Sequence, residues 1–146
     1  MQINEITEKE CREILARASV GRLGCSRDNQ PYIVPMYFAC EAEYIYAFST
    51  AGQKIEWMRA NPLVCVETEE SNDSQWVSVI ANGSFQELPE ARFATERAHA
   101  RKLLQARHEW WLNALAERRM KLRDQLIEPV FFRIHVDSVS GLRGQP

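Results

Sequence analysis

From Phe48 to Lys54 the chain reads FSTAGQK, which sets two adjacent hydroxyls, a glycine and a lysine close together. Residues of these types suit the binding of an anion. Ser49 or Thr50 is a good helix N-cap, and Lys54 to Arg59 continues as a helix that must end near Asn61-Pro62. The first turn of a helix has unpaired N–H groups and partial positive charge, so a phosphate placed there is stabilised. Gly52 lets it approach, and Lys54 adds a full charge. The stretch is not a Walker A loop, because the first glycine is missing and Ile55 follows the lysine where Ser or Thr is needed. Taken alone, it fits a capped helix with an exposed lysine as well as it fits a phosphate site.

Other candidates for chemistry carry less. His99 and His108 lie in a basic stretch and His135 alternates with apolar residues, and none has a partner at ligand spacing, so no metal is expected. Cys11, Cys25, Cys40 and Cys65 form no CxxC pair, and Cys25, Cys40 and Cys65 sit in apolar runs, as small core residues do. There is no G-x-S-x-G for a serine nucleophile. Trp110-Trp111 reads as core packing or a dimer contact.

The elements that position these residues must come from one domain, since 146 residues at 45% hydrophobic content bury one core and not two. A formal net charge of -2 gives no basic excess, which argues against a nucleic acid or an anionic membrane as partner. Charge is uneven: residues 90–124 hold nine Lys/Arg against five Asp/Glu, the pattern of a solvated helical face. No segment approaches the roughly 20 apolar residues of a membrane span, and the N-terminus lacks an apolar core for export, so cytoplasmic residence is the expectation.

Thr7 stands three residues before Glu10 as in a capping box, and predicts a short amphipathic helix within Ile6 to Ala18. The runs VGRLGCS, PYIVPMYFACE, YIYAFST, LVCVETE, QWVSVIANGSFQEL and PVFFRIHVDSV predict six antiparallel strands. Pro35 places the second at an edge, at a bulge or where the strand bends open, and Asn82-Gly83 bends the fifth. In the fifth, Trp76, Ser78 and Ile80 share one face and Val77, Val79 and Ala81 the other. In the last, Phe131, Arg133, His135 and Asp137 oppose Phe132, Ile134 and Val136. Pro89 starts a helical region to about Leu126, divided near Arg107-His108-Glu109. The reading is a mostly β, six-stranded antiparallel barrel, closed or split, with flanking helices, one domain over 1–146 with a helical insertion at about 90–126.

Taken in order, GRLGCSRDNQPYIVPMYF, IYAFSTAGQKIEWMRANPLVCVETE, WVSVIANGSFQEL and FFRIHVDSVSG resemble the FMN-binding split-barrel family, the pyridoxamine 5'-phosphate oxidase-like proteins. The resemblance implies a homodimer with FMN in clefts between the subunits. It implies that Ile33, Val34, Pro35, Met36 and Tyr37 run beside the flavin ring, and that Phe48, Ser49, Thr50, Gly52, Gln53 and Lys54 hold the ribityl phosphate. Trp76 and Ser78 would approach the flavin, often across the dimer interface. Gln53 departs from the basic residue of many relatives, and Phe48 closes a strand that carries a histidine in some. The tryptophan- and arginine-bearing end of the true oxidases is replaced by GLRGQP, where only Arg143 has a comparable side chain. The expectation is therefore an FMN-dependent oxidoreductase of a small molecule other than pyridoxamine 5'-phosphate. The alternatives are a flavin store or sensor, or a split barrel for another ligand such as haem.

Overall fold

The computed structural model describes residues 1–107 and 129–146. In chain order the elements are β1 (Gln2–Glu5), α1 (Glu8–Arg17), β2 (Val20–Arg27), β3 (Gln30–Tyr37), β4 (Ala39–Glu41) and β5 (Tyr44–Ser49). They continue as α2 (Gln53–Ala60), β6 (Leu63–Ser71), β7 (Trp76–Glu87), α3 (Glu90–Arg107) and β8 (Val130–Gln145). The strands form one antiparallel sheet in the order β3-β2-β6-β7-β8-β5-β4, with β1 added to β8.

The sheet is eight-stranded where the sequence predicts six strands, and both additions have a cause. PYIVPMYFACE changes partner at Phe38: β3 pairs with β2, whereas β4 pairs with β5. The Phe38 N–H meanwhile donates to the Ser19 carbonyl. β1 has every residue exposed and no apolar alternation, so only its ladder with β8 makes it a strand. β8 also runs on to Gln145, which puts most of GLRGQP into the sheet.

Alternation along the strands separates an inner face from an outer one. Leu23, Phe38, Ile45, Val66, Val79, Phe132 and Ile134 fill the barrel interior with Ile14 and Leu15 of α1 and Ile55 and Met58 of α2. A second cluster lies under α3, where Ala100 and Leu104 meet Ala39, Tyr46, Leu88 and Phe131. The predicted face divisions of β7 and the final strand hold, since Val77, Val79 and Ala81 are buried, as are Phe132, Ile134 and Val136. Phe131 is buried too, because α3 covers the side of β8 it occupies. Thr7 caps α1 as predicted, accepting from the Glu10 N–H at 3.1 Å.

The bend at Asn82-Gly83 is a bulge. Asn82 pairs with Ser138 and Gly83 with Val136, so Asp137 is an extra residue in β8. α3 kinks at Phe93 (φ −131°, ψ 40°). The remainder of the predicted helical region, with its break at His108 and the pair Trp110-Trp111, lies outside the described residues.

Candidate functional site

α2 begins where β5 ends, but not with the predicted cap. Ser49 is still in β5, paired with Val130, and its hydroxyl donates to the Thr50 carbonyl at 3.0 Å. The N-cap is Gly52, extended at φ 175°, with no side-chain hydrogen bond to the first turn. The space above it is open, as the nearest atom to a Cβ built there would be the Thr50 carbonyl oxygen at 3.9 Å. The first-turn N–H groups are thus uncovered by any capping side chain, a state that suits an anion better than a Ser or Thr cap would.

Gln53 is exposed and Lys54 half-buried. Burial pushes the Cys25 thiol up, with Cys65 adding to the rise, and the Lys54 ammonium is near enough to oppose it. One turn on, Trp57 stacks at 5.5 Å on Tyr32 of β3. At the far end of α2, Asn61 Nδ2 donates to Ser26 O at 3.1 Å, pinning the helix against the same strands.

β3 ends the strand order, so one side of its backbone is left without a ladder partner. That is where a proline is tolerated, and Pro35 stands opposite Arg22 of β2 with its ring at the edge. Ile33, Pro35 and Tyr37 are exposed, Val34 is half-buried and Met36 points into the core. Phe48, half-buried at the end of β5, packs on Phe131 at 5.8 Å.

Beside β3 the outer face of the sheet is cut by a groove of about 510 Å³, whose lining includes Gly24, Pro31, Ile33, Leu63, Cys65 and Asn82. Gly24, Cys65 and Asn82 lie in one row across β2, β6 and β7. A Cβ on Gly24 would come within 2.8 Å of the Cys65 sulfur, so the groove's depth depends on that glycine. Cys65 is consequently not the core residue its apolar neighbours predicted. It is half-buried on the outer face, while Cys11 and Cys25 are buried inside.

The fold sets Trp57 of α2 against Tyr32, which lines the groove with Ile33, and it separates others. Trp76 and Ser78 sit on the outer face, but Trp76 is six residues along β7 from Asn82, roughly 20 Å at strand spacing. Arg143 is paired with Val77, whose side chain is buried, and so projects from the opposite face to Trp76. There its guanidinium meets Glu10 of α1 at 2.9 Å. Glu10's carboxyl is held below its ordinary value, first by that hydrogen bond.

A second, larger cavity of about 1010 Å³ lies between α1, the β4–β5 turn and β8, and none of the predicted site residues lines it. At its edge His135 is clamped, Nδ1 to Asp137 at 2.7 Å and Nε2 to Glu43 at 3.0 Å. The His-x-Asp spacing on one face was visible in the sequence, whereas Glu43 comes from a distant turn. Among the described residues no group of His, Cys, Asp and Glu is arranged to hold a metal, and no helix is long and apolar enough to cross a membrane.

The clamp has a pH signature. Hydrogen bonds to Asp137 and then Glu43 raise the His135 pKa above its ordinary 6.5. A raised folded-state value stabilises the fold fully below the unfolded value and loses that contribution as pH rises through the folded one. The melting-temperature gap between wild type and His135→Gln is expected to be largest near pH 6 and to close toward pH 9. The gap stays small because the side chain is 41% exposed. A gap independent of pH would remove the imidazolium from the account.

A family model for pyridoxamine 5'-phosphate oxidase matches residues 7–143, from the α1 cap almost to the end of β8. The chain belongs to that family. An uncharacterized protein of Rhizobium meliloti is 42% identical over 113 residues, 76% of this chain and 75% of its own length. A FAD-binding protein of Mesorhizobium loti, solved as a crystal structure, is 38% identical with a TM-score of 0.81, over 99% of this chain and all (100%) of the other. More distant likeness, which speaks for the fold alone, extends to a heme-binding protein of Mycobacterium smegmatis. It is 16% identical with a TM-score of 0.67, over 90% of this chain and 52% of the other. The family's split barrel accounts for the sheet order found here, in which edge strand β3 and the β5–β4 edge are not joined by a ladder.

Proposed function

We propose that this family member binds a flavin nucleotide, FMN, in a cleft completed by a second copy of the chain, and works as an oxidoreductase of a small molecule. The observation that carries the reading is the start of α2. Its N-terminal turn has a glycine cap with open space above it and a lysine in its first turn, and one turn on Trp57 stacks on Tyr32, which lines the groove along edge strand β3. The 38% identical FAD-binding protein of Mesorhizobium loti supports the same class of ligand, since FAD contains the ring, ribityl chain and first phosphate of FMN.

In this reading Ser49, Thr50, Gly52, Gln53 and Lys54 receive the phosphate, with Lys54 supplying the charge. The exposed backbone edge of Ile33 to Tyr37 lies along the ring's polar rim, and Phe48 stays as a packing wall beside the phosphate end. Arg143 is reserved for tying α1 to β8 through Glu10. FMN when bound supplies hydride or single-electron transfer itself, so the chain needs to bind, orient and exclude water and needs no nucleophile.

Distance supports the second copy. Within one chain Trp76 and the groove are roughly 20 Å apart along β7, so the flavin contact that the resemblance implies for Trp76 would come from a partner. The outer face is suited to such a partner, for Val20, Tyr37, Trp76, Ile80 and Leu142 are all exposed on it. Scattered exposed apolar residues are normal, but a contiguous patch marks an interaction surface.

A flavin store is the second reading and draws on the same residues. Anaerobic addition of NADH or NADPH to the FMN-loaded protein separates the two. Bleaching of the flavin band, followed by its return when an acceptor is added, is expected of the enzyme. A band that neither donor bleaches leaves the store. A Soret band in place of the flavin bands in the purified protein would assign the barrel to haem and overturn both readings.

A further inference from the structure

In the middle of the exposed apolar face is a small charged island. Arg22 of β2 and Glu67 of β6 are register partners, and their nearest charged atoms, Arg22 Nη1 and Glu67 Oε1, are 3.6 Å apart. Glu69 reaches the same guanidinium at 4.0 Å. Glu67 Oε2 is buried and has no hydrogen-bond partner. The groups facing Glu67 are few: Arg22 from β2, Glu69 from its own strand and the uncharged Ile80 from β7, with Pro35 of β3 beyond Arg22.

Along the outward rows of β3, β2, β6 and β7 the acids are Glu67 and Glu69 and the one base is Arg22, while Asp137, His135 and Arg133 stand on β8 at and beyond the bulge. A two-fold contact sets the same patch on both sides, so a second copy brings another set, its own Arg22 included, with the same acidic excess. Two carboxylates per copy around one guanidinium would then be closed off from water, and an uncompensated buried charge neutralises itself by protonation. The carboxyl already short of a partner is the one that changes first.

We propose that the contact between two copies across this face takes up a proton on the Glu67 carboxyl of each, making the pair tighter in mild acid than in mild base. The inference rests on the two-copy cleft proposed above. Glu67's environment in the single chain leans the same way, since burial, and then Glu69, lift its carboxyl above the ordinary value while Arg22 opposes them. Protonated, Oε2 becomes a donor and can satisfy itself on a carbonyl or carboxylate of either copy.

Sedimentation velocity of the purified full-length protein from pH 5 to pH 8 tests this. Each proton taken up on association steepens the dissociation constant by about tenfold per pH unit above the carboxyl's range. Wild type is expected to weaken as pH rises, and Glu67→Gln to lose that slope by one proton per chain and remain paired at pH 8. Glu69→Gln keeps the slope and moves it to lower pH, because the neighbour that helps to lift Glu67 has gone. Equal slopes in wild type and Glu67→Gln, or an unmoved midpoint in Glu69→Gln, overturn the proposal and leave the pair standing. A monomer at every pH overturns the pair itself.

Discussion

Lys54→Ala is expected to weaken FMN binding about 10- to 100-fold and to leave riboflavin binding unchanged. A charge-assisted hydrogen bond contributes about 1.5–3 kcal/mol, and tenfold in affinity corresponds to about 1.4 kcal/mol. Riboflavin lacks the phosphate, so a lysine that serves the phosphate is silent toward it. Lys54 is the one full charge in the Ser49-to-Lys54 stretch, because Gln53 beside it is neutral. Gln53→Arg is accordingly expected to tighten FMN in the wild-type background and to restore part of the loss in Lys54→Ala. Flavin fluorescence titrations of the four proteins check the set. A loss of riboflavin affinity equal to that of FMN would move Lys54 from the phosphate to the ring or to the fold.

Gly83→Ala is expected to be the most destabilising small change in the sheet. A Cβ on Gly83 would lie 2.0 Å from the His135 carbonyl oxygen and 2.9 Å from Ile134 Cγ2. The first of these is backbone, and it lies at the bulge where Asp137 is squeezed out of β8, so relief requires separating β7 from β8. A loss of about 3 kcal/mol, or roughly 6–12 °C in melting temperature for a domain of this size, is expected. Gly52→Ala is the control: its Cβ meets nothing nearer than 3.9 Å and its extended φ suits any residue. The expected change is within about 1 kcal/mol, the range of an N-cap replacement. Thermal melts of both variants decide it, and equal stability of the two would mean that the β7–β8 approach at the bulge is looser than described.

How much of this was legible in the sequence follows from the range of the forces involved. The Thr7–Glu10 capping box, the inner and outer faces of β7 and the edge position of Pro35 depend on near neighbours and on period-two alternation, and each was read correctly. Near-neighbour rules failed where a distant partner decides. Ser49 is a good cap by type, yet its ladder with Val130 keeps it in a strand and leaves the cap to Gly52. β1 exists only because β8 lies beside it, and Cys65 faces outward because of the register of β6 against Gly24. The pairing of Arg143 with Glu10 spans most of the chain, and no local pattern announces it.

The same limits apply to the site. FSTAGQK was recognisable as a helix start that suits an anion, and the order of the flanking motifs pointed to the family whose model matches the chain. The groove along β3 is lined by Gly24, Cys65 and Asn82 from three strands, which are neighbours only after folding. The roughly 20 Å between Trp76 and that groove likewise becomes apparent only in the folded sheet, and it is what turns a single barrel into half of a proposed cleft.

The central claim is that this barrel holds a flavin nucleotide between two copies, and equilibrium titration of the flavin-free protein with FMN tests it most directly. The expected result is saturable quenching of flavin fluorescence at one FMN per chain, with FMN bound at least tenfold more tightly than riboflavin. A protein that binds neither FMN nor FAD at micromolar concentration, or that does not distinguish FMN from riboflavin, would contradict it.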